Sequence, residues 1–305
     1  MTNKYESLIV YFNGEFVPWE EANVHIFTPF TKYGAAVFEG IRGYWCEEAK
    51  KLRIFRLEEH MQRMETSQKI MRFDEVISAV VMCEATIELM KRNNFRTSVH
   101  IRPTAYVDGD GESSAQGPIG SFITAIPRGT PKRVETGCTA QVSSWERFSD
   151  RAMPARAKVN GNYNNSRLSG IQAKIDGYDA AILLNNRGKI SEGQGMCIFL
   201  VRDGVAVTPS VTSDILESIT RDTVIRLFEG MGVEVQQRDI DRSELFAAEE
   251  AFFCGTGWEI TPINMVDGAS IGDGSPGALT RQLQGVYFDL LFGRSTDKWS
   301  WVTTV

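Results

Sequence analysis

Apolar residues recur along the chain first at the two-residue period of strands and then at the helical period. Leu8 to Phe12 is apolar and β-rich, Asn13-Gly14 is a preferred two-residue hairpin turn, and Glu15 to Trp19 returns with Pro18 suited to an edge. The chain therefore opens on a hairpin. Val37 to Tyr44 and Leu52 to Arg56 predict two further strands. Leu57, Met61, Met64 and Met71, and then Val76, Val80, Cys83, Ile87 and Met90, predict two helices, the second ended by Arg92-Asn93-Asn94. A methionine stripe at that spacing is core. Thr97 to Val107 alternates as a strand, which sets His100 and Arg102 on one face and Val99 and Ile101 on the other, and Ser121 to Ile126 is a further strand.

Pro127-Arg128-Gly129-Thr130-Pro131-Lys132-Arg133 breaks all periodicity and marks a domain junction. The reading is a small N-terminal domain over 1–127, an interdomain loop over 128–138 and a larger domain over 139–305. In the second half, strands are predicted over Thr139 to Ser144, Asp179 to Leu184, Cys197 to Val201, Val233 to Gln237 and Ala251 to Cys254. Helices are predicted near Ser166 to Ile175, over Ile219 to Met231, and through Leu279, Leu283, Val286 and Leu290. The alternation makes both domains α/β or α+β.

Composition narrows the function. A chain of 305 residues, 42% hydrophobic and 24% charged, is neither disordered nor fibrous. The formal net charge of -6 offers no basic surplus to phosphate backbones or acidic membranes, so neither nucleic acid nor membrane is an expected partner. Cys46, Cys83, Cys138, Cys197 and Cys254 are odd in number and scattered, which predicts reduced thiols, and no CxxC or Cys/His cluster points to a metal. The N-terminus, Met1 to Glu6, lacks the features of a signal peptide, and no apolar run reaches membrane-spanning length. The expectation is a cytoplasmic protein without a metal.

Four stretches carry candidate chemistry. Lys158 sits among small and amide residues from Ala155 to Ser166, with Tyr163 five residues on. Small neighbours admit a planar molecule, and a lysine held against one can attack a carbonyl to form a Schiff base, although an exposed turn lysine also fits. Ser191-Glu192-Gly193-Gln194-Gly195 sets an acid among glycines between two strands, although judged alone it reads first as a solvated turn glutamate. Leu216 to Asp222 opens a helix whose first N–H groups, at Ile219 and Thr220, form an anion site unless Ser218 and Thr220 serve only as caps. Cys254-Gly255-Thr256-Gly257-Trp258 follows a strand with small residues that suit backbone donors or a plain tight turn.

Taken together, an amine nucleophile, a carboxylate, a helix N-terminus and a glycine-lined floor are what holding pyridoxal phosphate requires. The chain resembles the branched-chain aminotransferases of the fold type IV pyridoxal-phosphate enzymes from Tyr11-Phe12-Asn13-Gly14 to Asp297-Lys298-Trp299. The strongest marks are Tyr33-Gly34 with Val37 to Arg42, Phe55-Arg56, Lys158 with Gly161-Asn162-Tyr163, Ile190 to Gly193, Ile219 to Asp222, and Glu259-Ile260-Thr261-Pro262. The resemblance implies an α/β (α+β) fold with a small α/β domain and a larger, mixed, β-barrel-like domain with helices that binds the cofactor. It implies that Lys158 binds the cofactor and moves the substrate proton, that Glu192 faces the pyridine nitrogen, and that Tyr163 meets the ring oxygen. Arg56, Ile219, Thr220 and Thr256 would hold the phosphate, with Leu216 also in the cofactor site. Tyr33, Phe38, His100, Arg102, Arg128, Gly257 and Trp258 would line the substrate's path.

The chain also departs from the family pattern. His100 stands where branched-chain enzymes usually carry a tyrosine, and the interdomain loop, aromatic in many relatives, reads Pro127-Arg128-Gly129-Thr130-Pro131. The expected activity is transfer of an amino group from a branched-chain or other hydrophobic amino acid to a 2-oxo acid such as 2-oxoglutarate, in two half-reactions. The alternatives are a non-standard amino acid or primary amine as donor, an aminodeoxychorismate-lyase-like elimination, and a catalytically dead binding module. The resemblance implies a homodimer or higher homo-oligomer.

Overall fold

The structure is a computed structural model that describes Tyr5 and residues 7–305. Most of the N-terminal segment read above for a signal peptide lies outside the described residues. The chain forms two compact units, each discontinuous in sequence. The first takes Met1–Gly129, Ala157–Gly161 and Leu290–Val305, and the second Thr130–Arg156 and Asn162–Asp289.

In the first unit, β1 (Ile9–Phe12) and β2 (Glu15–Pro18) form the predicted hairpin, with Asn13 and Gly14 both at positive φ (46° and 96°) as a primed turn requires. There follow α1 (Pro29–Tyr33), β3 (Ala36–Phe38), β4 (Ile41–Cys46), β5 (Lys51–Phe55), α2 (Leu57–Ile70), α3 (Ala79–Asn93), β6 (Val99–Val107) and β7 (Ile119–Pro127). The Ser78 hydroxyl accepts the Val81 N–H and starts α3, and Asn94 ends it in the left-handed conformation. Met61, Met64, Leu89, Ile54 and Ile101 are buried, so the methionine stripe is core. The single strand predicted over Val37 to Tyr44 is instead two, β3 and β4, which pair β6 on either side of Pro103. Proline has no N–H to give a ladder, and at that point the Glu39 N–H donates to the Pro103 carbonyl (2.9 Å) instead.

The second unit runs α4 (Arg133–Thr136), β8 (Cys138–Val142), α5 (Tyr163–Ile175), β9 (Ala180–Leu184), β10 (Ile190–Gly193), β11 (Cys197–Arg202), β12 (Val205–Thr208), α6 (Ile219–Gly230), β13 (Val235–Gln237), β14 (Glu250–Gly255), β15 (Glu259–Val266) and β16 (Ala269–Ser270). Helix α7 (Ala278–Leu291) then leads to β17 (Val302–Thr304), which pairs with β5 in the first unit's sheet. The first sheet has the order β17-β5-β4-β6-β7-β1-β2, with β3 on β6 and Pro18 on the edge strand. The second is mixed, in the order β10-β9-β8-β15-β14-β11-β12-β13, with β16 on β15, and its β8–β9, β8–β15 and β12–β13 pairs are parallel. Ile182, Ile198, Leu200, Phe253, Ile263 and Val266 fill its core. Periodicity does not predict β10 and β12, which are four residues each, or β15, whose pattern Pro262 interrupts. No helix among the described residues is long and apolar enough to cross a membrane, and no group of His, Cys, Asp or Glu among them could hold a metal ion.

Candidate active site

Lys158 lies on the segment Ala157–Gly161, which is stitched to β3 in the first unit. Its carbonyl accepts the Phe38 N–H (3.0 Å), Val159 bridges Val37, and the Asn160 N–H donates to the Ala36 carbonyl (2.9 Å). The Lys158 N–H donates to Ser67 Oγ of α2 (3.2 Å). With the backbone pinned on both sides, the half-buried side chain places Nζ 5.0 Å from the centroid of the buried Phe38 ring. The small neighbours Ala155 and Ala157 are themselves buried.

Beside it is a charged cluster that the sequence did not reveal. Glu39, fully buried, accepts from Arg63 through both carboxylate oxygens (2.7 Å each) and from His60 Nδ1 (2.7 Å). Burial alone would raise the Glu39 pKa, but the charge of Arg63 and the His60 hydrogen bond overturn that and hold it down to about 2. Burial pushes the His60 pKa down, against the pull of Glu39, so the neutral imidazole donates to an ionised carboxylate.

The strand pattern places a basic face on the first sheet. Arg42 and His100 are direct cross-strand partners, Arg102 is two residues beyond His100, and the Arg128 N–H donates to the Ser98 carbonyl (2.8 Å), two residues before it. All four side chains therefore share one face. The Arg102 guanidinium lies 4.0 Å from the Phe38 centroid. Burial, with the charges of Arg128, Arg42, Arg102 and Lys158, pushes His100 down to about 4, so it is neutral near pH 7.

These groups fix how stability responds to acid. The unfolded chain binds protons at His100 near 6.5 and at Glu39 near 4.5, before the folded protein does at about 4 and about 2. Stability thus falls as pH drops from 6.5 towards 4, and again as it drops from 4.5 towards 2. His100→Phe is expected to make the upper part of that fall shallower in a thermal-unfolding series against pH. Parallel curves for parent and variant between pH 6.5 and 4.5 would show that His100 is not buried as a neutral base.

In the second unit, Glu192 is buried in strand β10, so it is not a solvated turn glutamate. Between Ile190 and Gly193, β10 carries one residue more than β9 opposite it, and Glu192 lies in that bulge, a device that re-aims a side chain. Arg147, also buried, pairs with Glu192 Oε1 (2.7 Å), and the Leu216 N–H donates to Oε2 (3.1 Å). Ser218 caps α6 by accepting the Arg221 N–H, the third in the helix, leaving Ile219 and Thr220 as its first two residues. Arg221 itself is structural, donating to Thr208, Pro209 and Gln237. Gly255 to Trp258 form a turn closed by the Trp258 N–H to the Gly255 carbonyl (3.1 Å). Tyr163 is the first residue of α5, and a β-carbon added at Gly195 would come 3.9 Å from its ring.

The first unit thus gathers Lys158, Phe38, His100, Arg102 and Arg128. Arg56 lies at the start of α2, at a left-handed φ of 51°, with its Nε on Glu59 (2.9 Å) and its guanidinium 4.7 Å from the Trp301 centroid. Tyr33 is exposed and donates to Glu112 (2.5 Å). The second unit joins Glu192 to Leu216, sets Ile219 and Thr220 at one helix end, and gathers Thr256, Gly257 and Trp258 in one turn. Sequence reasoning missed Arg147, Glu39, His60 and Arg63. The Phe38-Glu39-Gly40 run marked the stretch, but no local signal names partners that only folding brings near.

Comparison with known proteins identifies the family. The family model described as Amino-transferase class IV matches residues 36–266. The branched-chain-amino-acid aminotransferase of Escherichia coli (strain K12) is 41% identical over 312 residues, covering 100% of this chain and 99% of that one. The branched-chain amino acid aminotransferase of Thermobaculum terrenum, solved in its PLP-form, superposes with a TM-score of 0.93 at 42% identity, over 98% of this chain and 99% of that one. A further branched-chain amino acid aminotransferase, solved as a complex with N-(5'-phosphopyridoxyl)-L-glutamate, gives 0.91 at 38% identity, over 97% and 98%. The chain belongs to the class IV aminotransferases.

Proposed function

We propose that this pyridoxal-phosphate-dependent transaminase is a branched-chain amino acid aminotransferase that passes the amino group to a 2-oxo acid such as 2-oxoglutarate in two half-reactions. The observation that carries this reading is similarity that runs end to end over both chains to enzymes of that activity. The solved neighbour holding a phosphopyridoxyl-glutamate adduct supports glutamate and 2-oxoglutarate as one donor and acceptor pair.

The residues fit the cofactor. The buried Glu192 carboxylate, fixed by Arg147 and the Leu216 N–H, suits a protonated pyridine nitrogen, and the first turn of α6 suits a phosphate dianion, for which the family resemblance also names Thr256 and Arg56. When bound, the cofactor supplies an electron sink for charge developing on the substrate carbon. Lys158 Nζ holds the cofactor and then moves the proton from the substrate α-carbon, Tyr163 orients the ring oxygen, and Glu192 keeps the ring nitrogen protonated. Tyr33, Phe38, His100, Arg102, Arg128, Gly257 and Trp258 contact substrate. In this reading 1–127 and 139–305 are the functional domains, 128–138 links them, and the enzyme works as a cytoplasmic homodimer.

The basic face of Arg42, His100, Arg102 and Arg128 favours a second reading, in which donors with a further anionic group join or replace the aliphatic set. One experiment separates the two. Purified yellow enzyme is mixed with single donors in the absence of acceptor, and bleaching of the visible band is followed together with the oxo acid released. Leucine, isoleucine or valine bleaching the band, and 2-oxoglutarate restoring it, is the expected result. Bleaching by acidic or non-standard donors alone would establish the second reading. No bleaching by any donor, with pyruvate released from aminodeoxychorismate, would replace both with a lyase.

A further inference from the structure

The linker is tied to the glycine-rich turn that ends β14. Arg133, the first residue of α4, donates from a terminal guanidinium nitrogen to the Gly257 carbonyl (3.1 Å), and its guanidinium carbon lies 4.0 Å from the centroid of the Trp258 ring. That ring in turn meets Phe253 edge-on, with centroids 5.7 Å apart. Three residues before Arg133, the Thr130 hydroxyl donates to Glu259 Oε1 (3.3 Å), and Glu259 is fully buried at a left-handed φ of 52°. The Thr261 hydroxyl donates to the Trp258 carbonyl. On the other side, a β-carbon added at Gly255 would stand 3.3 Å from Met196 Cβ.

Two glycines in four residues give this turn little side chain by which to hold itself. Beyond its own Trp258 to Gly255 hydrogen bond the turn is held from outside, and Arg133 is a cation that grips its backbone. Fixing the Gly257 carbonyl fixes the peptide plane between Gly257 and Trp258, while the stacked guanidinium fixes the indole. The same peptide plane carries the Trp258 N–H, which closes the turn on the Gly255 carbonyl (3.1 Å), so Thr256 and Gly257 lie between two fixed ends.

We propose that Arg133 is a positioning residue that holds the Gly255–Trp258 turn, and thereby sets how tightly the enzyme retains the cofactor at Thr256 and substrate at Gly257. This rests on the reading of Thr256 and Gly257 given above. The guanidinium is suited to the task because one plane both donates to the carbonyl and stacks on the ring, which an ammonium does not do.

The test uses holoenzyme carrying Arg133→Met, Arg133→Lys or Thr256→Val. Retention of pyridoxal phosphate is followed by the visible band during gel filtration, KM and kcat are measured with leucine, and thermal unfolding is recorded. Arg133→Met should speed cofactor loss and raise KM by about tenfold, the scale of one charge-assisted hydrogen bond, with a much smaller change in kcat. Arg133→Lys should recover part of the loss. If Arg133→Met only lowers the unfolding midpoint, with KM and retention at parental values, while Thr256→Val loses cofactor, the role of Arg133 is overturned and the reading of the turn stands. If Thr256→Val retains cofactor like the parent, that reading falls and the inference with it.

Discussion

Lys158→Ala should abolish useful turnover, lowering kcat by on the order of 10²–10⁴-fold or more, because on the proposed function it removes both the nucleophile that holds the cofactor and the base that moves the substrate proton. The backbone bonds of Lys158 to Phe38 and Ser67 do not involve its side chain, so the segment should keep its place beside β3. The variant is therefore expected to fold with a parental circular dichroism spectrum and to lose the visible band. A single-turnover reaction with leucine, with and without added small primary amines, separates the two roles: amines that restore part of the proton transfer without restoring the band mark the base. A variant that turns over within about tenfold of the parent would remove Lys158 from the mechanism.

Arg147→Met should destabilise the protein by about 3–5 kcal/mol, the range for breaking a buried ion pair and leaving one charge behind. Arg147 and Glu192 are each only 6% exposed in their side chains, so water cannot replace the lost partner, and the Leu216 N–H is a further donor to Glu192. Even the lower figure lowers the unfolding midpoint by roughly 6–12 °C. The double variant with Glu192→Gln should recover much of that stability, since a neutral amide tolerates the loss of a cation. On the proposed function activity should not recover, because the amide cannot keep a pyridine nitrogen protonated. An unfolding midpoint for Arg147→Met within about 2 °C of the parent would mean that the pair adds nothing to stability.

Local pattern made much of the fold legible. The Asn13-Gly14 hairpin, the helix from Leu57, the helix ending at Asn94 and the alternation of β6 all form close to where period and turn chemistry set them. Helix α5 shows the limit of that reading. Its buried face is Ser166, Ser169, Gly170 and Ala173, while Leu168, Ile171 and Ile175 are exposed, the reverse of what hydrophobicity alone selects. Small residues let the helix lie close on β9, and close approach counts for more than the size of the apolar group.

The site divides in the same way. By itself the sequence determined the residue types and their order: a lysine among small residues, an acid among glycines, a serine-capped helix start and a glycine turn, enough to bring pyridoxal phosphate and the family into view. Only the tertiary structure decided that Glu192 is a buried residue in a bulge and not a solvated turn. It also decided that Arg147 is its partner, that Glu39 is held by His60 and Arg63, and that Lys158 is pinned beside β3 in a unit assembled from three separate stretches of chain. The reason is physical. Periodicity and turn chemistry are recorded in neighbouring residues, whereas the charge state and aim of a buried group depend on which distant strand or helix comes to lie against it.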